Sequence, residues 1–365
     1  MNHDFFDKVA FIIEKARAYV GRTADLTMCV TYFEVGRMIV ENEQRGKTRA
    51  KYGQELLKEL SAYLTERLGR GFSLTNLKNA KKFYLTYLPS IQQSLTAKFE
   101  KGQLLTDLFI KPQKSQSLTD LFKVSWTHYV VLMRIENAEE RSFYELEAAN
   151  NQWTVDDLKR QYGSSLYERL ALSRDKNEVM RLAKEGQIIE KPRDMLKNPL
   201  VLEFLNMAED SAYSETDLES AIIAKLQKFL LELGKGFLFE ARQKRFSFEE
   251  KSFFVDIVFY NRLLQCYVLI DLKTSDLKHQ DLGQMLMYVN YFDRYVKKEF
   301  EKPTVGILLC REKDDSIVEL TLPEDSNIYA SAYSLYLPDK NLLQQKLSEW
   351  ISEFEETQSL LTTSY

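Results

Sequence analysis

The sequence has few cysteines, few prolines and no long apolar run, and these shortages exclude several classes of protein. Its three cysteines, Cys29, Cys266 and Cys310, are scattered and form no CxxC pair. Such a set argues against a disulfide framework or a zinc site and fits a reducing cytoplasm. No segment approaches the roughly 20 apolar residues of a membrane span. The amphipathic N-terminus, with its early aspartate, does not resemble a signal peptide.

An excess of positive charge is also missing. The 50 Lys and Arg are outnumbered by 54 Asp and Glu, which gives a formal net charge of -4. Any nucleic-acid binding must therefore use local basic patches. The overall composition, 44% hydrophobic and 28% charged, is that of a soluble globular protein, and 365 residues suffice for two or three domains.

Two apolar runs predict neighbouring strands. Phe253–Tyr260 and Gln265–Leu272 suit buried strands, and Asn261-Arg262 is a plausible turn between them. The surrounding pattern predicts the order αβββαβ with a terminal strand and helix, and hence a mixed sheet flanked by helices. The other predicted elements are a helix capped by Thr216 and ended by Gly234, strands at Phe237–Gln243, Arg245–Phe248, Thr304–Cys310 and Asn327–Leu335, and helices at Leu282–Asp293 and Leu342–Phe354.

Acidic residues interrupt both runs. Asp256 lies in the middle of the first, Asp271 lies near the end of the second, and Lys273 follows. A carboxylate in a buried strand is unfavourable unless it is paired or binds a cation. Two carboxylates on neighbouring strands suit Mg²⁺, and the lysine can hold a water or stabilise phosphate charge. The set therefore predicts a site for phosphodiester hydrolysis.

The N-terminal half is predicted to be helical. Gly36 interrupts the helical pattern of residues 5–45 and indicates a close approach by another helix. A leucine-rich helix ends at Gly69-Arg70-Gly71-Phe72, and Ser73 caps the next helix. This arrangement is typical of a helix-turn-helix motif, although an ordinary helical hairpin fits equally well. The candidate DNA-binding residues are Arg70, Asn76, Lys78, Lys82 and, farther along, Gln243, which alternatively caps a strand edge.

The middle of the chain contains a short repeated sequence, LLTDLF (104–109) and SLTDLF (117–122), which indicates a low-complexity connection. Ser125 is predicted to cap a helix, and His128 on that helix is expected to be packed or hydrogen-bonded rather than a ligand. Further helices are predicted at Asn137–Ala149 and Val155–Leu170. Arg141 and Arg169 are expected to be solvated rather than bound to phosphate. We expect a helical domain over 1–175, a charged linker over 176–205 and an α/β domain over 206–356.

The second half resembles the PD-(D/E)XK nuclease superfamily, in which a helix acid precedes an Asp and an Asp/Glu-x-Lys tripeptide over an αβββαβ core. The resemblance implies that Asp256, Asp271 and the Leu272 carbonyl are metal ligands and that Lys273 is catalytic. Glu219 matches the helix acid, and Gln284 matches a glutamine that many members carry on the next helix. Two departures stand out: Val255 replaces the proline of the motif name, and Asp271 replaces the more frequent glutamate.

More of the chain resembles the YhcG-type bacterial nucleases, through segments such as GRGFSLTNLKNAKKFY, VSWTHYVVLMRI and LYERL in the first half and FEARQKRF and GQMLMYVNYFD in the second. The resemblance implies a winged-helix-like N-terminal domain and a restriction-endonuclease-like C-terminal domain. It further implies a cytoplasmic, Mg²⁺-dependent DNA endonuclease, with Mn²⁺ as a substitute, that acts on foreign or mobile DNA. A homodimer or higher homo-oligomer is expected, because one such site cuts one strand.

Alternatives to these roles remain at the level of sequence. Glu219 is either the helix acid of the site or a surface acid near the positive end of its helix dipole. Gln284 is either functional or hydrogen-bonded to backbone. A catalytically inactive DNA-binding or assembly protein on a nuclease fold is the alternative function, and the intact set of two acids and a lysine favours the enzyme.

Overall fold

The structure, a computed structural model, describes residues 3–45, 50–98, 122–172, 176–197, 199–207, 213–248, 251–312, 315–323 and 326–349. The chain divides into two compact units, Met1–Lys159 and Arg160–Tyr365. Residues 160–172 thus belong with the second unit, whereas the sequence placed the boundary at 175. No helix in the described ranges is long and apolar enough to cross a membrane.

The first unit is helical. Its helices are α1 (His3–Arg45), α2 (Ala50–Leu68), α3 (Leu74–Lys98), α4 (Trp126–Leu132) and α5 (Ala138–Asn150), and α6 (Val155–Gly163) crosses the unit boundary. The described part of this unit contains no strand, so the wing implied by the resemblance is not found there. The LLTDLF and SLTDLF segments lie outside the described residues, apart from Phe122.

The two helices predicted on either side of the glycine turn are present as α2 and α3, an arrangement shared by a helix-turn-helix motif and an ordinary helical hairpin. Gly69 and Gly71 have φ values of +83° and +118°, which residues with a side chain rarely adopt. The Ser73 hydroxyl accepts a hydrogen bond from the backbone N–H of Asn76, 3.3 Å away, and so caps α3. The Asn76 side chain donates to the Gly71 carbonyl at 2.8 Å and helps to fix the turn.

A close crossing of α1 and α3 explains Gly36. A Cβ atom at this position would lie 2.1 Å from the carbonyl oxygen of Ala80, so only glycine fits. An aromatic cluster packs beside the crossing; Phe83 contacts Phe33, Tyr87, Phe122, Trp126 and Tyr129. The predicted close approach of a second helix at Gly36 is therefore confirmed.

His128 makes two hydrogen bonds, as expected for a structural histidine. Its Nδ1 lies 2.7 Å from the Ser125 hydroxyl, and its Nε2 lies 2.9 Å from the Trp153 carbonyl oxygen. Ser125 occupies the N-cap position of α4, but its side chain makes no capping bond because it bonds His128 and Thr127 instead. The predicted cap by this hydroxyl was wrong.

The second unit is built on a six-stranded mixed sheet in the order β1-β6-β5-β4-β3-β2. Its strands are β1 (Leu200–Val201), β2 (Phe237–Phe248), β3 (Lys251–Asn261), β4 (Cys266–Leu272), β5 (Val305–Cys310) and β6 (Ile328–Ser334). The hairpin pairs β2–β3 and β3–β4 are antiparallel, and the other pairs are parallel. The predicted mixed sheet is confirmed.

The described part of the second unit also contains helices. They are α7 (Leu166–Ala171), α8 (Lys176–Glu185), α9 (Glu215–Ala224), α10 (Leu226–Leu233), α11 (His279–Tyr291), which a π turn at Phe292–Val296 extends, and α12 (Asp315–Thr321). Residues 340–349 are also helical. One core packs α9 and α10 against one face, and a second packs α11 against the other. With both faces covered, β4 and β5 are almost wholly apolar, as buried strands require.

Three elements differ from the sequence prediction. The helix predicted from Thr216 to Gly234 is broken at Lys225, whose ammonium donates to the Phe204 carbonyl at 2.6 Å. Its cap is Ser214 rather than Thr216. The helix predicted over Val155–Leu170 is likewise two, α6 and α7, because Ser165 adopts a left-handed conformation. The two strands predicted on either side of Lys244 form the single strand β2.

Arg169 is fully buried, so the expectation that it is solvated was wrong. Its guanidinium lies 2.6 Å from the Glu232 carboxylate, which Arg160 also contacts at 3.2 Å. Burial alone would raise the pKa of Glu232, but Arg169, Lys197 and Arg160 lower it to about 2. The predicted linker 176–205 is folded into this unit, since it contains α8 and β1 and contributes Lys197 to this network.

Replacement of Gly36 by alanine should destabilise the protein, because the added methyl group would overlap the Ala80 carbonyl. We expect Gly36→Ala to lower the free energy of unfolding by about 1–3 kcal/mol. Gly21→Ala in the same helix is the matched control, since a Cβ at Gly21 meets nothing within 4 Å. It should be neutral or stabilise by up to about 1 kcal/mol. Equal effects in chemical denaturation would contradict the close crossing.

Candidate functional site

The two acids predicted from the strands meet where β3 and β4 lie side by side. The Asp256 carboxylate accepts a hydrogen bond from the backbone N–H of Leu272 through Oδ2, at 2.8 Å. This contact holds the Asp256 side chain at the carboxyl end of β4, next to Asp271. Lys273 follows directly, and its Nζ lies 2.8 Å from Oδ2 of Asp271. The structure thus brings Asp256, Asp271, Leu272 and Lys273 together.

Asp271 is the most perturbed carboxyl group of this cluster. The residue is 3% exposed, and the ammonium of Lys273, 2.8 Å from its Oδ2, is the described partner that compensates its charge. Burial, followed by the negative charge of Asp256, raises the pKa of Asp271 to about 7, while Lys273 opposes the rise. Burial lowers the pKa of Lys273, but the pairing with Asp271 and the nearby Glu215 outweighs it, and the net shift is upward.

Glu219 faces the same cluster from α9 and is 2% exposed. Its two carboxylate oxygens accept from two neighbouring residues of β2, Oε1 from Arg242 at 2.5 Å and Oε2 from Gln243 at 2.7 Å. Gln243 Nε2 also donates to Oδ1 of Asp256 at 3.0 Å. One amide therefore bridges the helix acid and the strand acid.

The backbone of Gln243 makes this bridge possible. Successive side chains of a regular strand point to opposite faces, yet Arg242 and Gln243 both reach Glu219. Gln243 has φ +46°, a left-handed conformation that breaks the alternation. Backbone strain of this kind persists where the surrounding contacts fix it and is concentrated at functional sites.

Gln284 lies on α11, where its amide donates to the hydroxyl group of Tyr288. Tyr288 is buried, and burial raises the pKa of its hydroxyl group; the charges of Asp271, Asp256 and Lys273 also act on it. Gln284 is therefore linked to the acid cluster through Tyr288, and its bond goes to a side chain rather than to backbone.

The donors at this cluster fit a hard divalent cation. Asp256 and Asp271 supply carboxylate oxygens, and the buried Asp271 carboxylate lies beside a second acid with the Lys273 ammonium as its described counter-charge, a setting in which a cation would be favourable. Both oxygens of Glu219 are already bonded, by Arg242 and Gln243. Within the described residues no group of three or more His, Cys, Asp or Glu is arranged to hold a metal. A site of two carboxylates, one carbonyl and waters suits Mg²⁺ rather than zinc.

The remaining predicted DNA-binding residues lie in the first unit. Arg70 occupies the exposed turn between α2 and α3, and Lys78 and Lys82 are exposed on α3. Their spacing of four residues puts both lysines on one helix face. Asn76 is half-buried, and its amide is bonded within the turn.

Sequence reasoning missed three residues beside the acid cluster. Glu215, in the first turn of α9, lies 3.6 Å from Lys273 Nζ. Arg242, inside the predicted strand Phe237–Gln243, holds Glu219, and Tyr288 lies inside the predicted helix Leu282–Asp293. The four-residue spacing of Gln284 and Tyr288 could have predicted their contact, because residues four apart meet on one face of a helix.

Comparison with known proteins agrees with this geometry. A family model described as the YhcG PDDEXK nuclease domain matches residues 193–348, and the DUF1016 N-terminal domain matches residues 8–169. The chain is 35% identical over 365 residues to a protein of Escherichia coli (strain K12) named "Putative nuclease YhcG", covering 96% of this chain and 94% of that one. The chain belongs to the YhcG nuclease family. Its second unit is therefore a PD-(D/E)XK nuclease domain, as the sequence predicted.

A solved structure, a repair endonuclease from Pyrococcus abyssi, is also similar, with 21% identity and a TM-score of 0.24. The match covers 36% of this chain and 50% of that one. The acid cluster of this YhcG family member lies within residues 193–348, which the nuclease-domain model matches.

The raised pKa of Asp271 predicts a pH-dependent stability. Between its ordinary value of 3.8 and about 7, the folded state retains a proton that the unfolded state has lost. Stability therefore falls as pH rises through this window, by on the order of 2–4 kcal/mol, and stays lower above it. Asp271→Asn should abolish this contribution in metal-free protein. Unfolding free energies measured in EDTA across this range check it, and parallel profiles for the two proteins would contradict it.

Proposed function

We propose that this protein is a metal-dependent DNA endonuclease that hydrolyses phosphodiester bonds. The observation that carries the proposal is the buried Asp271, which lies beside Asp256 and pairs with Lys273 at the end of β4. Two carboxylates that repel each other in a buried place are retained at a cost in stability, which a bound cation would offset. Membership of the YhcG family and the match to a PD-(D/E)XK domain support the same conclusion.

The residues proposed to hold the cation are Asp256, Asp271 and the carbonyl group of Leu272. We propose Mg²⁺, with Mn²⁺ as a substitute. Such a cation lowers the pKa of a bound water and neutralises charge on a phosphate. Lys273, whose raised pKa keeps it protonated, would donate to a phosphate oxygen or hold the attacking water.

The other polar residues of the cluster have positioning roles in this proposal. Gln243 holds Glu219 and Asp256 together through its amide, and Arg242 fixes the other oxygen of Glu219. Gln284 orients the Tyr288 hydroxyl group, which faces the charges of the acid cluster. Glu219 and Gln284 thereby act on the site through their neighbours.

In the proposal, the first unit binds DNA through Arg70, Lys78 and Lys82, with Asn76 fixing the turn that carries them. The wider role would be defence against foreign DNA or processing of mobile DNA in the cytoplasm. A homodimer or higher homo-oligomer would allow both strands to be cut, since one active site cuts one strand.

The alternative is a catalytically inactive DNA-binding or assembly protein. One observation favours this alternative. The Gln243 amide bonds both Glu219 and Asp256, and the bond to Glu219 would have to break if Glu219 were a metal ligand. The intact set of Asp256, Asp271 and Lys273 favours the enzyme, because an inactive relative has no need to bury these charges.

Cleavage assays separate the two functions. Asp271→Ala and Lys273→Met should each reduce the cutting of supercoiled, linear and branched DNA by at least about 100-fold in Mg²⁺ or Mn²⁺, because both groups would act on the reacting phosphate. Asp276→Asn is the matched control, since Asp276 is an exposed acid in the loop that follows and should not matter.

Two results of this assay would decide against the enzyme. One is cutting that persists at the wild-type rate in EDTA. The other is cutting that survives in Asp271→Ala protein purified in the same way, which would mark a contaminating nuclease.

A salt series tests the proposed DNA-binding helix. Lys78→Ala with Lys82→Ala should weaken DNA binding and flatten the log–log salt slope by up to about 2 units, because each phosphate contact contributes roughly 0.9. Lys228→Ala with Lys298→Ala removes the same charge from exposed positions of the second unit as a control. Cutting at saturating DNA should survive. An unchanged slope, or a lost oligomer with unchanged monomer affinity, would instead make the hairpin a dimerisation element.

A further inference from the structure

The hairpin of β2 and β3 extends beyond the rest of the sheet. β4 pairs with β3 only between Ile257 and Asn261, whereas β2 pairs with β3 as far as the Phe248–Lys251 pair. Residues 244–248 and 251–255 therefore form a two-stranded ribbon, and no other strand of the described residues lies beside them. We call these residues the arm.

One face of the arm is packed on α11. Phe246 is 7% exposed and stacks on Tyr291, with 4.1 Å between ring centroids. Its cross-strand partner Phe253 stacks on it in turn, and Phe246 also meets Tyr288 edge to face. Stacked rings of this kind hold the arm in one orientation relative to the domain, since each contact adds to simple burial.

The opposite face is polar and exposed, and its cation is Arg245, since Lys244 and Lys251 share the parity of Phe246 and Phe253. Arg245 and Phe254 are cross-strand partners, as are Ser247 and Ser252, so these four side chains share one face. The Arg245 guanidinium donates to the Ser252 hydroxyl group at 2.9 and 3.2 Å, which extends it along this face, and Phe254 is 46% exposed. The described arm residues include three cations, Lys244, Arg245 and Lys251, and no acid; Glu249 and Glu250 lie outside the described residues.

This face is continuous with the candidate active site. Ser252 and Phe254 point away from α11, against which Phe253 and Val255 pack. Asp256 bonds Gln243, which bonds Glu219 of α9 on that same far side of the sheet. Gln243, which bonds Asp256, immediately precedes the β2 strand of the arm. A DNA duplex with one phosphate at Asp256 would therefore lie alongside Phe254 and Arg245.

The edge of β2 is poorly suited to pairing with another strand. Its register shifts between Phe239 and Ala241, and Gln243 has a left-handed backbone. Bulges and cations on an edge strand prevent addition of a further strand. A two-stranded ribbon, by contrast, has the width that the major groove of B-DNA admits.

We propose that the arm binds duplex DNA beside the cut, with Arg245, Ser247, Ser252 and Phe254 facing a groove. This inference rests on the proposed nuclease function and adds a contact that orients the duplex relative to Asp256. Arg245 contacts phosphate or a base edge, and Phe254 makes an apolar contact. The arm thus positions the duplex and takes no part in the chemistry.

Binding of a labelled random-sequence duplex of about 30 base pairs, roughly three helical turns, tests the arm. All full-length proteins carry Asp271→Asn so that the DNA stays intact, and affinity is measured by anisotropy across a salt series. Arg245→Ala should weaken binding about tenfold and lower the salt slope by about 0.9. Phe254→Ala should weaken binding with the slope unchanged. The single strand of the same sequence should bind with no dependence on either residue.

Lys251→Ala is the matched control, because it removes the same charge from the opposite face of the arm. Equal losses for Arg245→Ala and Lys251→Ala would overturn the assignment of the face. An altered oligomeric state with unchanged DNA affinity would make the arm a protein contact.

In parallel, the otherwise wild-type chain is assayed for cutting. If the otherwise wild-type chain cuts DNA and Arg245→Ala leaves DNA affinity unchanged, the proposal for the arm alone is overturned. If the protein neither binds nor cuts DNA, the proposed function is overturned and the arm with it.

Discussion

The burial of Asp271 next to Asp256 is the constraint that the rest of the nuclease unit has to accommodate. A carboxylate that is 3% exposed beside a second acid raises the free energy of the folded state, and its pKa of about 7 reflects that cost. Lys273 offsets part of it at 2.8 Å. The buried strands and both apolar cores supply the stability that allows the domain to keep this unfavourable pair.

The contacts around the pair follow from the local backbone. Asp256 accepts from the Leu272 N–H, so β4 itself fixes the strand acid. The left-handed Gln243 turns its amide to Glu219 and Asp256, and α9 presents Glu219 from above the sheet edge. An asparagine at 256 would disturb these bonds, whereas Asp271 Oδ2 has none to lose apart from its ion pair. The two acids thus differ in their contacts: Asp256 is anchored by hydrogen bonds from Leu272 and Gln243, and Asp271 is held by its ion pair with Lys273.

Much of the sheet and of the acid cluster was predictable, because a continuous apolar run indicates a buried strand and an acid inside such a run is unusual. Asp256, Asp271 and Lys273 came from that pattern, and the turn at Gly69 and Gly71 came from glycine's freedom at positive φ. What failed required tertiary contacts. Nothing in the sequence marks the break at Lys225, which depends on carbonyl groups twenty residues earlier. Arg169 looks solvated until Glu232, far along the chain, is placed against it. Gln243 could not be assigned, because glutamine seldom adopts its φ.

The central claim is that the ends of β3 and β4 form a divalent-cation site whose occupancy is coupled to the proton on Asp271. Calorimetric titration of Mn²⁺ into the metal-free protein, in two buffers of different ionisation enthalpy, measures protons released per ion bound. With the pKa of Asp271 at about 7, the account predicts release of nearly one proton about one unit below that pH and little release about one unit above it. The Asp271→Asn protein should bind weakly and release none. Binding without proton release at either pH, or equal binding by the variant, would contradict the account.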